Sequence, residues 1–131
     1  MESYPKEIKI KETEKILLRP AEPKDGKKIE EFLLKIPSKE KAVLKEAIED
    51  AGDIESWIKE AGKSVFPPLL AENEKENEIV GIVFSRKSKG KQSSHFQDMI
   101  LLVEIDYKMT RLSALLSKEY FSAVLKKKEK K

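Results

Sequence analysis

Apolar residues occur along this chain in short runs whose period changes, and each change marks a new element. Residues 1–14 are polar apart from Ile8 and Ile10, whose alternation reads as an edge strand or an N-terminal arm. "KILLR" at 15–19 is a short apolar run halted by Pro20 and reads as a strand. The loop "PAEPKDGKK" leads into a helix. Pro23 suits its first turn, Asp25 favours the positive helix end, and Ile29, Phe32, Leu33 and Ile36 recur at helical spacing until Pro37. Ser38 suits the cap of a second helix, with Ala42, Val43, Ala47 and Ile48 on its apolar face and Gly52 as its stop. Asp53 can cap a third, short helix over "DIESWIKEAG", with Ile54, Trp57, Ile58 and Ala61 facing inward.

The period then shifts. "SVFPPLLAE" is extended, and its paired prolines predict an edge or bent strand. After the charged turn "ENEKENE", the run "IVGIVFSRK" at 79–87 is a second strand, so the two form a hairpin. "SKGKQSS" is a loop. "HFQDMILLVEI" at 95–105 is the longest strand, and its continuous apolar centre predicts burial on both faces. Thr110 to Val124 reads as a helix with Leu112, Leu115, Leu116, Tyr120, Phe121 and Val124 inside, followed by a solvated tail at 126–131. Residues 15–125 form one unit without repeat or linker. The order is strand, helix, helix, short helix, three strands, helix, which is an α/β fold with a largely antiparallel central sheet.

Composition narrows the chemistry. The chain has 131 residues, enough for one domain with a real core. Charged residues make up 39%, yet the net charge is only +3, because lysines and carboxylates alternate as on a solvated face. Only three arginines occur, at 19, 86 and 111, which counts against base-specific nucleic-acid readout. The absence of cysteine excludes disulfides, thiolate catalysis and Cys-based metal sites, and a single histidine cannot form a zinc cluster. No apolar run reaches the roughly 20 residues that span a bilayer, and the polar N-terminus lacks a signal-peptide core. The expectation is a soluble cytoplasmic protein.

Three stretches taken together resemble the GNAT N-acetyltransferase superfamily over about residues 15–125. "ILLRPAEPKDGKKIEEFL" is similar to that family's opening strand, Arg-Pro step and first helix. "WIKEAG" followed by "PPLLAENEKENEIVGIVFSRK" is similar to the helix and two strands that come next. "SHFQDMILLVEIDYKMTRLSALLSKEYF" is similar to the family's fourth strand, pyrophosphate turn and third helix. The resemblance implies a GNAT-like, incomplete fold. It also implies acetyl-CoA as cofactor, lying along the long strand at Leu102 and Val103, with its pyrophosphate at Lys108, Thr110, Arg111, Leu112 and Ser113. Helix N-termini favour anions in this way. Two features depart from the family pattern. "YKMTRLSALL" holds no glycine where the backbone should approach a phosphate. The chain also ends at Lys131, where the family continues with a further strand and helix, so the expectation is either a degenerate relic, weak or inactive as a monomer, or a second copy that completes the cleft.

The candidate base is Asp98 or Glu104, each a carboxylate on the long strand that could deprotonate an amine acceptor, or else sit in solvent at a strand end. His95 reads as a surface residue at a strand start. Tyr107 and Tyr120 could serve as acids but fit better as core aromatics. Thr110 is equally a helix cap, and Trp57 is expected beneath the sheet. Two functions of different class follow. One is transfer of an acetyl group from acetyl-CoA to a small or protein amine. The other is a non-catalytic association module, a homodimer built through the long strand or the last helix, because an unfinished sheet exposes an edge. A weaker third is nucleic-acid contact through the lysines.

Overall fold

Alternating side chains, turn residues and helix stops set out the strands and α-helices, with 3-10 turns at Pro23–Asp25 and Ile105–Tyr107. The computed structural model describes residues 5–11, 14–64, 66–87, 97–107 and 110–129. Strands β1 (Lys6–Lys11) and β2 (Glu14–Pro20) precede helices α1 (Gly26–Leu33), α2 (Ser38–Ala51) and α3 (Ile54–Ser64). Strands β3 (Leu69–Asn73), β4 (Glu78–Lys87) and β5 (Gln97–Val103) follow, and α4 (Leu112–Glu129) closes the order. The five strands form one antiparallel sheet in chain order, β1-β2-β3-β4-β5.

This order differs from the expected one at its start. The alternation around Ile8 belongs to a true edge strand, β1, paired with β2 from Lys6↔Leu18 to Lys11↔Glu14. The proline-bearing run also differs. β3 lies at the centre of the sheet and not at its edge, because it begins at Leu69, just past both prolines. Pro68 still serves the sheet, since its carbonyl accepts the Ala21 N–H at 2.7 Å.

Each face of the sheet has its own core. On one face Leu70, Ile79, Ile82, Phe84 and Leu102 meet α1, α2 and α3 through Ile29, Phe32, Leu44, Trp57 and Ile58. Trp57 lies edge-on to Phe84 with ring centroids 5.2 Å apart, beneath the sheet as its spacing predicts. Asp53 caps α3 by accepting the Ser56 N–H at 2.8 Å. α2 turns inward Ala47, Val43 and Ile48, as their spacing predicts, but its deepest residue is Leu44, and Ala42 is exposed. The helix packs on α3. On the other face Ile16, Leu18, Leu69, Ala71, Val80, Val83 and Val103 meet α4 through Leu112, Leu116 and Tyr120. The Tyr120 hydroxyl pairs with Ser85 Oγ at 2.7 Å, so this buried phenol has a partner. Phe121 was expected inside, yet it is 59% exposed.

α4 is seated closely on β4. The register shifts between Ala71↔Gly81 and Glu72↔Ile79, which makes Val80 the extra residue of a bulge. A Cβ on Gly81 would stand 3.1 Å from Leu116 Cδ2, so the helix approaches the sheet where the side chain is missing. Among the described residues no helix is long and apolar enough to cross a membrane. Gly81→Val is predicted to push α4 outward and to cost about 1–3 kcal/mol through overpacking. Urea unfolding measures this as a lower midpoint at unchanged slope, and an unchanged midpoint contradicts close seating.

Candidate functional site

The end of β5 and the turn into α4 hold most of the candidates. Leu102 and Val103 are both buried, but on opposite faces, Leu102 towards the three-helix layer and Val103 towards α4. Glu104 continues the ladder, its N–H donating to the Val80 carbonyl at 2.9 Å. The Glu104 carboxylate lies 3.6 Å from Lys35 Nζ, which also donates to Glu78 Oε1 at 2.5 Å. Burial pushes the Glu104 carboxyl above its ordinary value. Lys35 pulls it back, Asp106 opposes Lys35, and the balance stays raised. Asp98 pairs with Arg86 in the β4–β5 register. The Asp98 side chain lies outside the described residues, as do Lys108 and His95.

The start of α4 is occupied by its own chain. Thr110 Oγ1 donates to the Tyr107 carbonyl at 2.7 Å and accepts the Leu112 N–H at 3.2 Å. The Leu115 N–H takes the Arg111 carbonyl at 3.0 Å. The Arg111 guanidinium reaches the Lys9 carbonyl of β1 at 3.3 Å, and the Leu112 side chain is fully buried. Ser113 is half-buried on the helix. Thr110 is therefore a cap and Arg111 a tie to β1. Glu104 stands with Lys35 on the three-helix side, so the carboxylate and the helix start do not converge on one cleft.

A cluster that the spacing did not bring out lies beneath the start of α1. Arg19 on β2 donates to both Asp25 carboxylate oxygens at 2.8 Å and, through Nε, to Glu72 Oε1 on β3 at 3.1 Å. Lys28 on α1 bonds the other Glu72 oxygen and donates to Asn77 Oδ1 at 2.8 Å. Asp25 Oδ2 also accepts the Glu22 N–H at 2.7 Å. Burial raises the Asp25 carboxyl, but Arg19 and the Glu22 N–H outweigh it, so it titrates below its ordinary range. Glu72 is likewise raised by burial and drawn lower overall by Lys28 and Arg19. The bond from Asp25 leads the causes that raise Arg19. The surrounding cavity, about 440 Å³, is lined by Arg19, Glu22, Lys24, Asp25, Lys28, Glu72 and Asn77. Three cations face three carboxylates, so the charges are balanced and spent on one another. The arrangement fastens the α1 entry to β2 and β3. In the sequence Arg19 stood out only as part of the Arg-Pro step, and nothing in its spacing pointed to Asp25 or Glu72.

The two sheet edges differ in kind. β1 reads "KEIKIK" and its register is irregular between Lys9 and Lys11. Charge and irregular pairing are the usual guards of an exposed edge. β5 holds Met99, Ile100, Leu101, Leu102 and Val103 in succession. β4 pairs with one side of β5, and among the described residues no strand pairs with the other. Met99 stands opposite Ser85 and Leu101 opposite Val83, so both point to the α4 face. Met99 is 45% exposed. Glu119 of α4 reaches Lys6 of β1 at 3.0 Å, which turns the opposite flank of the helix, with Ser117, Phe121 and Val124, towards β5. Compared with known proteins, the chain matches no family model and no curated relative.

Arg19→Leu is predicted to strand the Asp25 carboxylate, and half of the support of Glu72, in a buried site at a cost of about 3–5 kcal/mol near pH 7. Both carboxyls titrate lower folded than unfolded. Their contribution is therefore complete above the unfolded value of about 4 and fades as pH falls through the lower folded values. The variant keeps the burial and loses the arginine, so its deficit should shrink on acidification. Unfolding at about pH 7 and about pH 3 measures it, and an equal deficit at both contradicts this ion-pair account.

Proposed function

We propose that this chain is a protein-association domain that forms a homodimer by extending its sheet through the outer edge of β5. The contrast between the two edges of one sheet carries this reading. An edge strand offers a row of backbone N–H and C=O groups to any passing strand, and chains that stay apart blunt it with lysine, proline or bulges. β1 has the lysines and the irregular register, while β5 has five apolar residues in a row and no charge among them. Exposed Met99 on β5, with Phe121 on the α4 flank turned to that side, adds apolar surface.

The alternative is the reading that the resemblance implies, transfer of an acetyl group from acetyl-CoA to an amine, with Asp98 or Glu104 as the base. The order of β5, turn and α4 favours it. The engagement of Thr110, Arg111 and Leu112 within the fold, and the charge partner of Glu104, weigh against it. Titration calorimetry with millimolar acetyl-CoA separates the two, since saturable heat supports the enzyme reading and its absence removes it.

Sedimentation equilibrium tests the association reading. The wild-type chain is predicted to be dimeric at tens of micromolar. Met99→Lys sets a charge on the exposed side of the edge strand and should weaken the dimer by about tenfold or more, with the fold intact. A wild-type chain that stays monomeric at this concentration contradicts the proposal.

A further inference from the structure

Two copies of a strand can join edge to edge in two ways, and each places the helices differently. A dyad perpendicular to the sheet makes the strands antiparallel and keeps both α4 helices on one face. A dyad along the strand makes them parallel and turns one copy over, so that α4 stands beside the partner's three-helix layer. Resting on the β5-edge reading, we infer that the partner is a second copy in the antiparallel arrangement, with the two α4 helices packed side by side and Phe121 as the anchor of their contact.

Four observations carry this. First, α4 rests mainly on β4 and β5. With strands about 4.8 Å apart, a partner sheet continuing past β5 brings the two helix axes to about 10–14 Å. Packed helices lie about 8–10 Å apart, and larger side chains widen that spacing. The gap is therefore one that a pair of aromatic side chains can fill. Second, Phe121 is the large residue facing that gap. The Tyr120–Ser85 bond fixes the level of α4 along the sheet, and Ser85 pairs with Met99, so Phe121 lies level with the middle of the edge strand.

Third, a two-fold contact places residues near the axis against their own copies, so those residues must tolerate themselves. Over positions 113–124 the β5-facing flank of α4 presents Ser113, Ser117, Phe121 and Val124, all uncharged, whereas the opposite flank holds Glu119 in its bond with Lys6. Residues 99–103 of β5 are uncharged as well. Registers centred on Met99 or Ile100 keep Asp98 and Glu104 from facing another carboxylate, whereas one centred on Leu101 would set Asp98 opposite Glu104. Fourth, the flipped arrangement would set Phe121 towards the three-helix face, which carries the Glu46–Arg86 ion pair at 3.1 Å beside β4. Phe121, 59% exposed in the single chain, gains cover when α4 meets α4.

The chain has no cysteine, so single cysteines report distances without background. Phe121→Cys, held at a concentration where the chain is dimeric and mildly oxidised, is expected to give a disulfide-linked dimer on a non-reducing gel. Lys24→Cys, on the exposed surface by the α1 entry, is expected to give none. Phe121→Asp is expected to raise the dimer dissociation constant by about tenfold or more with an unchanged far-ultraviolet spectrum. A chain that dimerises and responds to Met99→Lys, yet neither cross-links at position 121 nor weakens with Phe121→Asp, overturns the helix pairing while the edge reading stands. A wild-type monomer overturns both, and needs no variant to be seen.

Discussion

Every strand in a sheet needs partners for two rows of backbone hydrogen-bonding groups, and the two outermost strands always lack one. In this fold that requirement governs more than any single contact. The interior pairs β2–β3, β3–β4 and β4–β5 are complete, and both faces are covered, by three helices on one side and by α4 on the other. β1 closes one edge with lysines, an irregular register and ties to α4 from Lys6 and Lys9. β5 is built like an interior strand and stands at an edge. The proposed association follows from that mismatch between composition and position.

The same sheet explains why the charged cluster is structural. α1 begins after a short turn, and a short helix holds little packing energy of its own. Arg19 supplies a planar fork whose donors meet Asp25 at the helix entry and Glu72 on the neighbouring strand. Lys28 closes the arrangement from α1 itself. Because each carboxylate has its cation, the buried charges are neutralised in place, and the pocket around them is the space above an ion-pair network. The two carboxylates are held low by the same guanidinium that joins the three elements.

Local signals carried most of the element boundaries. Gly52 marks the end of α2, though Pro37 and not Ser38 stands at its cap; Asp53 caps α3, and the spacing of Trp57 sets it beneath the sheet. Errors arose where position in the sheet, which spacing does not encode, decided the outcome. The prolines of "FPP" suggested an edge, but the strand begins after them and lies in the middle. The apolar run of β5 suggested burial on both faces, and that holds for Leu102 and Val103 but not for Met99. Phe121 fits an inward helical stripe by type, yet α4 has more apolar positions than one buried face can hold. The Arg19–Glu72 contact joins residues 53 apart in sequence, a distance at which no periodicity speaks. The turn from β5 to α4 was legible as a turn. Its internal bonds, through Thr110 and Arg111, were visible only in three dimensions.

The central claim is that the outer edge of β5 pairs with a second chain. Amide hydrogen exchange across residues 99–103, followed over a range of protein concentrations, tests it most directly. Alternate amides of an antiparallel strand point to each side. The account predicts that the outward set exchanges rapidly in dilute protein and becomes protected as the concentration rises, while the inward set, bonded to β4, stays protected throughout. Outward amides that exchange at the same fast rate at every concentration would contradict it.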